Sequence, residues 1–206
     1  NNQSLRTKQY SKALDYLKDK DLVYACWLTR KEASSTLNAP HNHISQNASL
    51  RVNDQELKNR KSLGLTPAWR LNIKNCLKYI NSQKEKIYWE DIKQGKNLLN
   101  LDQFGDVIIA RKDILTSYHL SVTVDDNSDG VTHIIRGNDL ESYTNIHRLL
   151  QVLLNLRETK WFHHKLVKDT NGKRIAKRSN SKLTIKELRE NGYSTNEVIK
   201  LAKSST

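Results

Sequence analysis

Tyr118-His119-Leu120-Ser121-Val122-Thr123-Val124-Asp125-Asp126, followed by Gly130-Val131-Thr132-His133-Ile134-Ile135-Arg136-Gly137, is the stretch from which the fold of this chain is read. Tyr118, Leu120, Val122 and Val124 share one parity and His119, Ser121 and Thr123 the other, the period-two pattern of a half-buried strand. Asp125 to Gly130 is dense in turn formers, and Val131 to Ile135 reads as a second strand. Arg136 follows an apolar run and precedes a glycine. It is expected to project from the carboxyl end of a strand, where ligands of open α/β sheets gather. About forty residues further on stands Gly172-Lys173-Arg174-Ile175-Ala176-Lys177-Arg178, four cations around a small apolar pair, after a glycine suited to a tight turn.

Upstream, Tyr10, Ala13, Leu14 and Leu17 fall at helical spacing and predict an amphipathic helix over 5–20. Leu22 to Leu28, Ala68 to Ile73 and Val107 to Ala110 read as strands. Residues 31–66 are polar, with Pro40 and Gly64 as breakers, and read as an insertion with weak structure. Residues 74–104 are mixed, with a turn expected at Gly95. Asp139 is placed to cap a helix carrying Ile146, Leu149, Leu150, Leu153 and Leu154 on its apolar side. Thr184-Ile185-Lys186-Glu187 and Ser194-Thr195-Asn196-Glu197 have capping-box form and predict short helices within 179–206. Strands alternating with helices predict an α/β domain with a mainly parallel sheet.

The 206 residues carry a formal net charge of +13, which suits a polyanionic partner, nucleic acid first. The same charge also follows from the Lys- and Asn-rich composition of an AT-biased genome. Cys26 and Cys76 are too far apart for zinc spacing and too few for a disulfide framework, as in a reducing cytosol. No apolar run is long enough to span a membrane, and no secretory signal stands at the start. Methionine is absent altogether, so the chain is expected to be part of a longer product.

Taken alone, the candidate residues have competing explanations. The basic segment at 173–178 is a solvated turn, a contact to nucleic-acid phosphates, or a set of cations for the charge that builds on a phosphorus under attack. Arg136 is a surface salt bridge or a bidentate ligand for a carboxylate. Tyr118 is a core aromatic or a wall of the same subsite.

Together the segments resemble the second half of a class I glutamyl-tRNA synthetase catalytic domain. Gln3-Ser4, Tyr10 and Leu22 to Cys26 look like the approach to that family's inserted subdomain, and Trp69-Arg70-Leu71 like the return. Gly105 to Asp113 leads into the Tyr118 segment in the family's order, and His147-Arg148-Leu149-Leu150-Gln151 and His163-His164 also fit. The resemblance covers most of residues 3–190. It implies a Rossmann-like catalytic domain with a small inserted subdomain. It also implies ATP as substrate, with Mg²⁺, and tRNA and L-glutamate as partners. Arg174 to Arg178 is similar to the family's mobile ATP loop, with Ala176 where a serine is usual. Lys177 would then contact the ATP phosphates as the catalytic cation, supported by Arg174 and Arg178. Tyr118 and Arg136 would hold the glutamate.

The pattern departs from the family in three ways. The N-terminal signatures, a Pro-Ser-Pro-Thr-Gly run and a His-Ile-Gly-His motif, are absent, so the N-terminal part of such a domain is expected to precede residue 1. The insertion at 31–66 lacks the cysteines of the family's zinc knuckle, and His41 and His43 are expected in solvent, so no structural zinc is expected. Beyond the loop there is only 179–206, without a large anticodon-binding region. That matches a short branch of the family which activates glutamate without tRNA and attaches it to queuosine in the anticodon stem-loop of tRNA(Asp). A cytoplasmic monomer is expected. The rivals are a truncated enzyme charging tRNA(Glu) and a non-catalytic tRNA-binding paralogue.

Overall fold

The computed structural model describes residues 2–28, 52–83, 85–114, 116–166 and 184–204. The loop carrying Arg174, Lys177 and Arg178, and His41 with His43, lie outside them.

Helix α1 (Thr7–Asp19) buries Tyr10, Leu14 and Leu17, the stripe its spacing predicts. It leads into β1 (Val23–Cys26), which pairs antiparallel with β2 (Ala68–Leu71). Within the predicted insertion, α2 (Asp54–Ser62) is an ordered helix, where weak structure was expected. The Asn53 side chain caps Glu56 N, Asp54 and Glu56 sit in the first turn, and Arg60 with Lys61 in the last. Each matches the helix dipole. Arg60 Nη1 also donates to the carbonyl of Trp27, 2.6 Å away, and ties α2 to the end of β1.

After β2 come α3 (Ile73–Ser82), β3 (Tyr88–Asp91), β4 (Gly95–Leu98) and β5 (Ile108–Ala110). Gly95 closes the β3–β4 hairpin at φ +84°, where a glycine is needed. The chain continues through α4 (Tyr118–Ser128), β6 (His133–Gly137), α5 (Thr144–Leu153) and β7 (Lys160–His164). It ends in α6 (Ile185–Glu190) and α7 (Thr195–Ser204). Thr184 and Glu187 form the expected capping box, and Ser194 and Glu197 exchange the same pair of bonds.

The sheet expected to be mainly parallel is two sheets. One has the order β1-β2-β5 and is antiparallel throughout; the other has the order β4-β3-β7-β6. In the second, β3 pairs parallel with β7, and β7 with β6, while β3–β4 is a hairpin. Only β3–β4 is a short hairpin; β6 and β7 are joined through helix α5, the crossover that a parallel pair needs. Helix α4 packs on β5 of the first sheet and α5 on β3 of the second, and the two helices pack on each other. Leu120, Ile146, Leu149 and Leu150 are fully buried in that layer. Each such side chain contributes roughly 1.5–3 kcal/mol by leaving water.

Residues 118–128 are a helix, not the strand that alternation predicts over 118–124 with a turn from Asp125. The buried set is Leu120, Ser121, Thr123 and Val124, a stripe at i, i+1, i+3 and i+4. The hydroxyls that look like the polar face of a strand bond back along the helix: Thr123 Oγ1 to His119 O at 2.8 Å and Ser121 Oγ to Tyr118 O at 3.3 Å. The end is fixed by Gly130 at φ +70°, whose N–H reaches Asn127 O while Val131 N reaches Asp126 O at 2.8 Å. That is a Schellman stop. Far contacts hold the helix too. Tyr10 and Arg6 both bond Asp125, and Arg6 also bonds Asp129. Packing therefore overrides the β propensity of Val122, Thr123 and Val124.

Asp139 does not cap α5. It lies in a short 3-10 turn, Asn138–Leu140, and the helix begins after Tyr143 with no side-chain cap.

Candidate active site

Arg136 is the fourth residue of β6 and lies in register with His163 of β7. Alternation sends both to the inner face of the second sheet, where Trp89, Asp91 and Trp161 are also buried. The guanidinium reaches α5 as well as β7. Its Nε donates to His163 Nε2 at 3.2 Å and its Nη2 to Thr144 Oγ1 at 2.6 Å, while Nη1 lies 2.9 Å from His147 Nδ1. Thr144 Oγ1 is itself 3.1 Å from His163 Nε2. His163 Nδ1 lies 2.7 Å from Asp91 Oδ2, and Asp91 Oδ1 accepts from the Lys93 and Gln94 amides. On the other side, His147 Nε2 is 3.0 Å from His119 Nδ1.

Tyr118 opens α4, and its ring centroid stands 5.6 Å from that of His119 and 5.7 Å from that of His147. It is 49% exposed, so it lines the surface of the cluster and is not a core aromatic. The two residues singled out as a glutamate subsite, Tyr118 and Arg136, thus meet at one place, through a helix start instead of a strand face.

The electrostatics suit an anion. Burial pushes the Arg136 guanidinium down from its ordinary value, opposed by the Tyr118 phenol, Asp126 and Asp139. Arginine stays charged through such a shift. The three bonds that fix its fork go to one hydroxyl and two imidazoles, with no carboxylate among them. Burial, then the nearby Arg136, drives His119 down to about 4. Burial, Arg136 and His119 hold His147 well below the usual histidine range. Both rings are neutral near pH 7. Burial opposes ionisation of Asp91, but His163 and the two turn amides outweigh it and hold the carboxyl below its ordinary value.

Thr144, His147, His163 and Asp91 received no role from the sequence alone. One signal was available: His163 and Trp161 alternate in a strand, which points a polar side chain inward. Among the described residues, no three His, Cys, Asp or Glu side chains converge to cage a metal, and no helix is long and apolar enough to cross a membrane.

The fold is α/β, with a cation presented at the carboxyl end of a parallel strand. The chain belongs to the class I tRNA synthetases (E and Q): the family's catalytic-domain profile matches residues 1–203. It is 33% identical over 97% of its length to a glutamyl-Q tRNA(Asp) synthetase from Rhodobacter capsulatus, and spans 73% of that protein. It is 31% identical over 93% of its length to glutamate–tRNA ligase 2 of Bartonella tribocorum, of which it spans 43%. Among solved structures, a glutamate tRNA ligase from Elizabethkingia meningosepticum, in complex with its amino acid, has the same fold. It matches with a TM-score of 0.65 at 20% identity, over 93% of this chain and 37% of that one.

Proposed function

We propose that this domain activates L-glutamate with ATP and transfers it to queuosine in the anticodon stem-loop of tRNA(Asp). The observation that carries the reading is Arg136: a half-buried guanidinium at a strand's carboxyl end, its fork bonded to one hydroxyl and two imidazoles and to no carboxylate. The glutamate side-chain carboxylate is that ligand, with the Tyr118 phenol beside it. The α-carboxylate oxygen attacks the α-phosphorus of ATP, a new O–P bond forms, and pyrophosphate leaves. A hydroxyl of the queuosine cyclopentenediol then attacks the acyl carbon, and AMP leaves. Lys177, supported by Arg174 and Arg178, contacts the ATP phosphates. Mg²⁺ would be held by the nucleotide's own phosphates, and no step is assigned to it. The net charge of +13 favours the tRNA.

The queuosine reading is supported by the 33% identity over 97% of this chain to the glutamyl-Q tRNA(Asp) synthetase of Rhodobacter capsulatus. The protein acts as a monomer in the cytoplasm. The test is glutamate-dependent ATP–pyrophosphate exchange without tRNA, on protein from the complete gene. Exchange that vanishes in Lys177→Ala and Arg136→Ala supports the reading. Exchange only with tRNA(Glu) would replace it with an enzyme of translation, and none under either condition with a tRNA binder.

A further inference from the structure

We propose that Asp91 and His163 are positioning residues for Arg136: the carboxylate fixes the tautomer of His163, and the imidazole offers the guanidinium a bare nitrogen, so that Arg136 is oriented yet keeps its charge for a substrate carboxylate. The inference rests on the glutamate reading only for the identity of that carboxylate.

The tautomers follow from donors that have no choice. Every guanidinium nitrogen donates. Arg136 Nε therefore needs a lone pair on His163 Nε2, 3.2 Å away. Thr144 Oγ1 already accepts from Arg136 Nη2, which leaves its own proton for the same His163 nitrogen at 3.1 Å. Two donors converge on Nε2, so that atom carries no hydrogen. The ring proton sits on Nδ1 and donates to Asp91 Oδ2 at 2.7 Å. The contact between Asp91 and His163 is thus a carboxylate bonded to a neutral imidazole, although its distance alone would pass for an ion pair.

The arrangement has a chemical purpose. A direct Asp–Arg fork would neutralise the cation and occupy its donors. With one imidazole between them, the negative charge orients Arg136 without consuming it. Of the five N–H groups on a guanidinium, the aligned bonds engage three. The other two are left for the phenol and the ligand. Asp91 is the root of the chain because it cannot turn: its Oδ1 is held by the Lys93 and Gln94 amides, and its side chain is 1% exposed.

Asp91→Asn tests this. With its oxygen kept on the two turn amides, the new NH₂ faces His163 Nδ1. The ring must then move its proton to Nε2, where it meets two donors. Long-range ¹⁵N–¹H spectra of the histidine rings at pH 7 should show Nδ1–H in the wild type and Nε2–H in D91N. Calorimetric titration with L-glutamate should show binding weakened about tenfold or more in D91N, a loss of the size that misorientation produces. His163→Gln, whose carboxamide oxygen replaces Nε2 as acceptor, should retain most of the affinity, whereas His163→Leu should not. In D91N/H163Q the first change should cost nothing further, a non-additivity that a merely structural role would not give. If D91N does not fold, the Gln and Leu variants at 163 carry the test.

A wild-type His163 that is protonated on Nε2 overturns the proposal, as does D91N binding glutamate within about twofold of wild type while Arg136→Ala abolishes it. A wild type with the Nδ1–H tautomer that binds no glutamate sinks the glutamate reading but supports the relay.

Discussion

Arg136 Nη2 and Thr144 Oγ1 are 2.6 Å apart, a bond that joins the end of β6 to the first residue of α5 across eight positions of sequence. It makes the start of that helix part of the proposed glutamate subsite. Thr144→Val keeps the shape and removes both the acceptor for Arg136 and the donor to His163. Expected outcomes are a raised KM for glutamate in pyrophosphate exchange, a smaller change in kcat, and a loss of roughly 1–3 kcal/mol in urea unfolding, because Thr144 is fully buried. Thr144→Ser should restore the KM.

His119 and His147 are held neutral in the folded state, His119 with a value of about 4 against the unfolded value near 6.5. The unfolded chain therefore binds more protons than the native one between those limits, and stability rises with pH across that window. Acidification from pH 6.5 toward 4 should lower the unfolding free energy, by at most about 1.4 kcal/mol per pH unit for each ring. Urea midpoints taken across that range check it, and His119→Asn should flatten the slope.

Tyr10 is 2% exposed and donates to both oxygens of Asp125, 2.8 and 2.9 Å away; burial and then Asp125 push its phenol up to about 12. Tyr10→Phe deprives that carboxylate of a donor at the joint between α1 and α4. A loss of about 1.5–3 kcal/mol is expected, seen as a lower urea midpoint at unchanged slope.

Gly130 ends α4 at φ +70°, with only the Arg157 guanidinium within 4.0 Å of a would-be Cβ. Space is therefore not the constraint, and the backbone angle is. Gly130→Ala should cost about 1 kcal/mol and Gly130→Asn less, since asparagine tolerates this conformation. Equal cost for both would remove the Schellman stop from the account.

Much of this was readable in the residues. Arg136 could be placed at a strand end because Ile134 and Ile135 precede it and Gly137 follows. The α1 and α5 stripes could be read because their leucines recur at helical spacing. Residues 118–128 misled because Val122, Thr123 and Val124 are good strand formers and alternate with polar neighbours. What makes them helical lies elsewhere in the chain: Arg6 and Tyr10 at one end of α4, and its packing between α1 and α5. The supports of Arg136 were hidden for a similar reason. Thr144 and His147 come from α5, His163 from β7 and Asp91 from β3, and the pairing of β3, β7 and β6 with the packing of α5 on β3 gathers them about Arg136. The ascribed ATP cations, Arg174, Lys177 and Arg178, lie outside the described residues and rest on resemblance.

Strand β6 pairs with β7 alone among the described strands, and next to Arg136 it turns Ile135, 71% exposed, toward solvent. Among the described residues, the same few positions thus hold an oriented cation on one face and an exposed isoleucine on the other. For anyone producing this stretch of polypeptide by itself, the practical consequence is colloidal. Molecules will tend to associate edge to edge through β6, and the yield of dispersed protein will fall with concentration. A gatekeeping charge at that site, Ile135→Lys, should keep the preparation in solution while leaving the opposite face, and the guanidinium on it, undisturbed.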